Sequence, residues 1–260
     1  YSCYNIIIVW SDDMLITSTN NEHIKELAKL KEKKYRQLTN SFLVEGEHLV
    51  LEAYKCGLIK ELILKEDYLF PIPIKPTYVT SDILKKLSDN ISTPPVMAVV
   101  SKKEEDKIGE KVLILDNIQD PGNLGTIIRS CVAFNIDTLI LSQDTVDLYN
   151  PKVIRSTQGM IFHLNIIIKK LDEIIPKLKE DGYKIIGTKV THGKDIKESK
   201  TYSHYAIILG NEGTGIKEEI LSLCDEYIYI KMNEKCESLN VGVAGSIIPV
   251  SYTHLTLPTT

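Results

Sequence analysis

Between residues 112 and 230 the chain repeats one pattern, a short and continuously apolar run followed by a turn or a helical segment. The runs are VLILD (Val112–Asp116), DTLIL (Asp137–Leu141), FHLNIII (Phe162–Ile168), YKIIGT (Tyr183–Thr188), YAIILG (Tyr205–Gly210) and EYIYI (Glu226–Ile230). Strands that are apolar on successive positions are buried on both faces. That burial is the habit of a parallel sheet covered by helices. Segments such as LDEIIPKLKEDG and IKEEILSLCD carry the helical period between them. The pattern predicts an α/β domain with a parallel sheet of about six strands.

The preceding segment reads as a smaller α/β unit over residues 14–100. Caps at Ser18–Asn21 open one helix, Glu22–Gln37, with Ile24, Leu27 and Leu30 on its apolar side and a basic stripe from Lys25 to Arg36 on the other. SFLVEG, IKELIL and PVMAVV read as strands. EHLVLEAYKCG and SDILKKLSD read as helices, the first closed by Gly57. The polar stretch 101–110 is the expected linker. Residues 1–13 and 249–260 differ in character from the rest, so both are set apart as a non-native leader and tail.

The chain has 260 residues and a formal net charge of −4, with 43% apolar and 25% charged residues. This is a globular composition that argues against wholesale coating of nucleic acid while leaving room for a local basic patch. Five cysteines without a CxxC pair point to reduced thiols in a cytosolic protein. Six histidines without HxxxH spacing make a metal an unexpected ligand. No apolar run approaches the ~18 residues of a membrane span.

In parallel sheets ligands gather beyond the carboxyl ends of the strands. Three marked segments sit there: DPGNLGTIIRS (Asp120–Ser130), LGNEGTGI (Leu209–Ile216) and IKMNEKCESLNVGVAGS (Ile230–Ser246). The second has the glycine spacing of a phosphate-binding loop at Gly210 and Gly215. However, Lys217 stands one place late and no hydroxyl follows it, so an NTPase is disfavoured. No GxGxxG follows any strand, which argues against a dinucleotide site. Taken singly, Asn123, Glu212, Ser238 and Asn240 are ordinary helix-start residues, and Arg129 is an ordinary surface charge. Their functional meaning rests on the three segments together.

Together the segments resemble the three ordered motifs of the SpoU/TrmH family of RNA ribose 2'-O-methyltransferases, over nearly all of residues 111–248. The segment containing FLVEGEHLVLEA resembles the small RNA-binding domain carried by rRNA-directed members. The resemblance implies a C-terminal trefoil knot, S-adenosylmethionine as methyl donor, an RNA substrate with rRNA favoured over tRNA, and a cytoplasmic homodimer. It places cofactor contacts at Gly210, Ile230 and Leu239, with Thr188 beside them. Arg129 falls at the family's central arginine, read here as a phosphate clamp and hydroxyl activator. Asn123, Glu212, Ser238 and Asn240 are expected to orient it, the ribose and the loops. Lys231 stands where the family usually has proline, and the closing helix is expected to break off after Ile248. A non-catalytic RNA-binding or ribosome-assembly protein is the alternative of a different class.

Overall fold

The computed structural model describes residues 15–190, 193–200 and 202–254, so the expected leader and the last residues of the expected tail lie outside it. The chain forms two compact units, Tyr1–Lys103 with Tyr149–Arg155, and Glu104–Leu148 with Ser156–Thr260. Tyr149 joins the first unit because its ring packs on Phe42, with centroids 4.8 Å apart, and lies under the Lys102 ammonium at 4.7 Å.

The first unit runs β1 (Leu15–Ile16), α1 (Glu22–Lys29), α2 (Lys33–Leu38), β2 (Ser41–Glu45), α3 (Glu47–Lys55), β3 (Ile59–Lys65), β4 (Pro76–Val79), α4 (Ser81–Leu87) and β5 (Val96–Ser101). Its sheet has the order β1-β4-β3-β5-β2, with β5 antiparallel to both neighbours. Ile24 and Leu27 of α1 and Ile83, Leu84 and Leu87 of α4 cover Ile63, Val79, Met97 and Val99. Two strands escape sequence reasoning: β1 is two residues long, and β4 starts on a proline, tolerated at the first strand position.

The single helix expected over residues 22–37 is two helices. Helix α1 ends at Lys29, and Arg36 of α2 turns inward to 5% exposure, where its Nη1 donates to the carbonyls of Leu30 at 2.9 Å and Lys31 at 2.5 Å. Carbonyls past a helix end need such partners. The basic stripe is correspondingly reduced. Lys25 pairs with Glu22 at 2.7 Å, Lys29 with Glu26 at 2.6 Å and Lys31 with Asp89 at 3.2 Å.

The second unit holds β6 (Lys111–Leu115), α5 (Pro121–Ala133), β7 (Thr138–Leu141), β8 (Asn165–Ile168), α7 (Leu171–Glu180), β9 (Lys184–Thr188), β10 (Lys194–Asp195), β11 (Tyr205–Leu209), α8 (Glu218–Leu221), β12 (Glu226–Tyr229) and α9 (Val241–His254); α6 (Pro151–Thr157) straddles the division. The sheet is parallel throughout, in the order β10-β12-β9-β11-β6-β7-β8. The six expected strands are joined by the two-residue β10. The run at 162–168 becomes a strand only from Asn165, because Met160–Phe162 coil into a 3₁₀ turn after Gly159.

Asn165 also fixes the expected linker. Its side chain accepts from Asp106 N–H at 3.0 Å and donates to the carbonyls of Asp106 and Lys107, each at 3.1 Å, and the part of the stretch from Glu104 onward belongs to the second unit. Helix α9 does not break off after Ile248. It continues through Pro249 to His254, and Tyr252 is fully buried with its ring 5.3 Å from that of Tyr205.

The topology selects one end of the sheet. The chain leaves β6 towards β7 on one side and leaves β11 towards β12 on the other. The carboxyl ends of this neighbouring pair form a switch point, where diverging connections open a crevice.

Candidate active site

The first motif begins where β6 stops. Asp120 accepts the N–H of Asn123 at 2.8 Å and Pro121 occupies the first turn, so the chain turns sharply into α5. Gly125 is required by a neighbour: a Cβ there would lie 1.9 Å from Ser156 Oγ, and that hydroxyl donates to the Pro121 carbonyl at 3.0 Å. Helix α9 also packs closely on α5, since a Cβ on Gly245 would meet Ile127 Cγ1 at 2.7 Å, and Ser246 Oγ lies 2.7 Å from Ser130 Oγ.

This packing joins the motifs in one hydrogen-bonded chain. Asn240 Nδ2 donates to Asn123 Oδ1 at 3.0 Å, and Asn123 Nδ2 donates to Glu212 Oε1 at 3.1 Å. Asn240 also caps α9 by accepting from Val243 N–H at 3.2 Å. Glu212 receives the backbone N–H groups of Gln119 at 3.3 Å and Asp120 at 3.2 Å. Partial burial pushes the Glu212 carboxyl upward, but the Asn123 amide and the backbone donors outweigh it, holding the group below the usual glutamate range. Glu212 is therefore an anion at neutral pH.

Beside this chain a cavity of about 460 Å³ opens between the loops that follow β9, β11 and β12. Thr188, Gly210, Ile230 and Leu239, the expected cofactor contacts, all line it, as do Glu212 and Ser238. Leu209, Ile216, Ile228 and Met232 make much of the wall apolar. The Thr188 hydroxyl is spent on the Ile208 carbonyl at 2.8 Å, so this residue offers the cavity backbone and methyl surface. The structure thus brings together eight of the nine expected site residues. Arg129 stands apart: it is exposed on α5 and makes no hydrogen bond or ion pair among the described residues.

Sequence reasoning missed the layer behind Glu212. Asp116 ends the otherwise apolar β6 run and is 1% exposed. Its Oδ2 accepts from Lys217 N–H at 2.8 Å, while Oδ1 has no hydrogen-bond partner. The visible signal was a carboxylate closing a buried strand, paired with the displaced lysine of the false phosphate loop. Burial raises the Asp116 pKa more than Lys217 lowers it. A raised folded-state pKa gives a stabilisation that is complete below the unfolded value and lost as pH rises through the folded one. Asp116→Asn keeps an acceptor for Lys217 N–H and removes that titration. It is expected to raise Tm near neutral pH, with the advantage disappearing as pH falls below the ordinary aspartate range; thermal melts across pH check this.

Fold and candidate site together describe a two-unit α/β protein whose three motifs meet at the carboxyl ends of a parallel sheet. The chain belongs to the SpoU rRNA Methylase family, whose sequence profile matches residues 110–249; the MRM3-like substrate binding domain matches residues 21–98. It is 37% identical over 239 residues to the 23S rRNA (guanosine(2553)-2'-O)-methyltransferase RlmP of Bacillus subtilis, covering 90% of this chain and 96% of that one. Among solved structures, a TrmH-family protein from Porphyromonas gingivalis superposes with a TM-score of 0.81 at 27% identity, covering 90% of this chain and 97% of that one. An RNA 2'-O ribose methyltransferase superposes with a TM-score of 0.79 at 27% identity, covering 93% and 98%.

Proposed function

We propose that this chain transfers a methyl group from S-adenosylmethionine to a ribose 2'-hydroxyl of ribosomal RNA. The carrying observation is that the second and third motifs line one cavity, while Asn123 of the first motif is tied to them through the Glu212–Asn123–Asn240 chain beside it. The cavity volume falls within the roughly 300–1,000 Å³ of small-molecule sites. Its apolar wall suits an adenine ring, its glycine-rich backbone supplies polar contacts, and the Glu212 anion suits a cationic sulfur. Bound there, S-adenosylmethionine supplies an electrophilic methyl group.

The protein's own work is then alignment and charge. Thr188, Gly210, Ile230 and Leu239 hold the cofactor. Glu212 orients Asn123, and Asn240 ties α9 to the same point, while Ser238 faces the cavity from the third loop. Arg129, unspent within the protein, grips an RNA phosphate and eases negative charge onto the 2'-oxygen. Arg129 acts as a donor and positive charge rather than as the base, and the phosphate it holds or a neighbouring group assists departure of the hydroxyl proton.

The MRM3-like unit and the RlmP relative support rRNA, and within it a guanosine of 23S rRNA. The route of the chain supports the knotted threading: residues 230–240 must return from β12, past β9 and β11, to reach α9 on α5. We assign the enzyme to the cytoplasm as a homodimer, in keeping with its family.

Calorimetric titration of S-adenosylmethionine, followed by methyl transfer to 23S rRNA with tRNA as comparison, tests the reading. Cofactor binding with 2'-O-methylation of rRNA is expected. Absence of cofactor binding alongside rRNA binding would replace it with a non-catalytic RNA-binding role.

A further inference from the structure

Lys217 lies outside the three motifs' expected residues, yet it stands where three strand-end loops meet. Its Nζ is 2.5 Å from Asp144 Oδ2, in the loop after β7, and 3.8 Å from the unpartnered Oδ1 of Asp116, at the end of β6. Asp144 Oδ1 accepts from Ser142 Oγ at 2.6 Å, and that oxygen accepts from Asn117 N–H at 2.8 Å. Asn117 adopts a positive φ of 59°, and its carbonyl accepts from Asn211 Nδ2 at 2.7 Å. The path that starts at Lys217 therefore ends at Asn211. These two residues bracket the loop that carries Glu212 and forms one wall of the cavity. Within the loop, Asn211 and Gly215 exchange backbone hydrogen bonds at 2.9 and 3.0 Å, so the turn is a closed ring hung from its two ends.

We propose that Lys217 is a positioning residue: its ammonium, shared between Asp144 and Asp116, locks the Glu212 loop against the ends of β6 and β7 and so sets both the cofactor wall and the Glu212–Asn123 contact. The catalytic part of this statement rests on the methyltransferase reading, and the locking part does not. Asn211 holds the loop's entry through an uncharged contact, whereas Lys217 holds its exit through charge. Asp144 is held below the usual aspartate range by Lys217 and Ser142 in spite of burial, and Lys217 is raised by Asp144, so the two groups face each other ionised. The Lys217 and Asp144 side chains are 41% and 46% exposed, which limits the size of the effect.

The test compares wild type with Lys217→Met, Lys217→Arg and Asp144→Asn. Hydrogen exchange of the amides of residues 211–216 reads the lock directly. Faster exchange there is expected in Lys217→Met and Asp144→Asn, with Tm close to wild type and near-normal exchange in Lys217→Arg. S-adenosylmethionine affinity and the single-turnover methylation rate should each fall about five-fold in Lys217→Met, the scale of a half-exposed ion pair, and recover in Lys217→Arg. The double variant Lys217→Met/Asp144→Asn should lose no more than the worse single one. Unchanged loop exchange in Lys217→Met overturns the proposal. If that variant does not fold, unchanged exchange in Asp144→Asn overturns it equally. A wild type that binds no S-adenosylmethionine would sink the methyltransferase reading, while the exchange data would still judge the lock.

Discussion

Gly210→Ala is expected to weaken S-adenosylmethionine binding about a hundred-fold and to slow methyl transfer with it. A Cβ at residue 210 would lie 2.1 Å from both Gly215 C and Ile216 N and 2.5 Å from Gly215 O. All three are backbone atoms of a turn closed by the Asn211–Gly215 exchange, so no side chain can swing aside. The loop must open, moving Glu212 and one wall of the cavity. Overpacking costs about 1–3 kcal/mol in general, and here the clash is with backbone on the site itself, so a loss of affinity near the upper end of that range, about a hundred-fold, is expected. The same loop supplies its own controls. Gly213 meets only Asn211 Oδ1, at 3.6 Å, and Gly213→Ala should be nearly silent. Gly215 has free space but a φ of +73°, so Gly215→Ala should cost about 1 kcal/mol of backbone strain without a collision. Calorimetry on the three variants separates collision, strain and no effect. Equal affinities across the series would show that the loop does not form the cofactor wall.

Arg129→Ala is expected to lower the methylation rate by about a hundred-fold or more, the loss typical of removing one preorganised charge at a reacting oxygen. Tm and cofactor affinity should stay near wild type. That combination follows from what Arg129 lacks: it is exposed and pairs with nothing among the described residues, so its removal leaves no buried group stranded. Arg129→Lys should recover little, because an ammonium cannot reproduce the two-pronged grip of a guanidinium on phosphate. The salt dependence of RNA binding should fall by about one phosphate contact in Arg129→Ala. Full turnover in Arg129→Lys would remove the arginine from the mechanism.

The two units, the strands of the parallel sheet and the helix starts were legible because each depends on local pattern. VLILD and YAIILG are apolar on successive residues, and Asp120-Pro121 announces a helix. The helix break at Leu30–Glu32 was not legible. It depends on Arg36 reaching back to two carbonyls, and an arginine in a lysine-rich stretch reads from sequence as one more solvated charge. Tyr149–Arg155 joining the first unit was likewise a matter of contacts distant in sequence.

The amino-acid sequence by itself determined the α/β class, the three loops and the identity of most groups that face the cavity. Those follow from hydrophobic period and turn chemistry, which act over a few residues. Tertiary structure alone decided which of these groups touch. Asn123, Glu212 and Asn240 are separated by 89 and 117 residues from their partners in the chain, and they meet because β11 pairs beside β6 and α9 packs on α5. It also decided that Asp116, Asp144 and Lys217 form one cluster. Hydrogen bonds and ion pairs act over a few ångströms of space, and only the order of strands in the sheet brings residues so far apart in sequence to that distance.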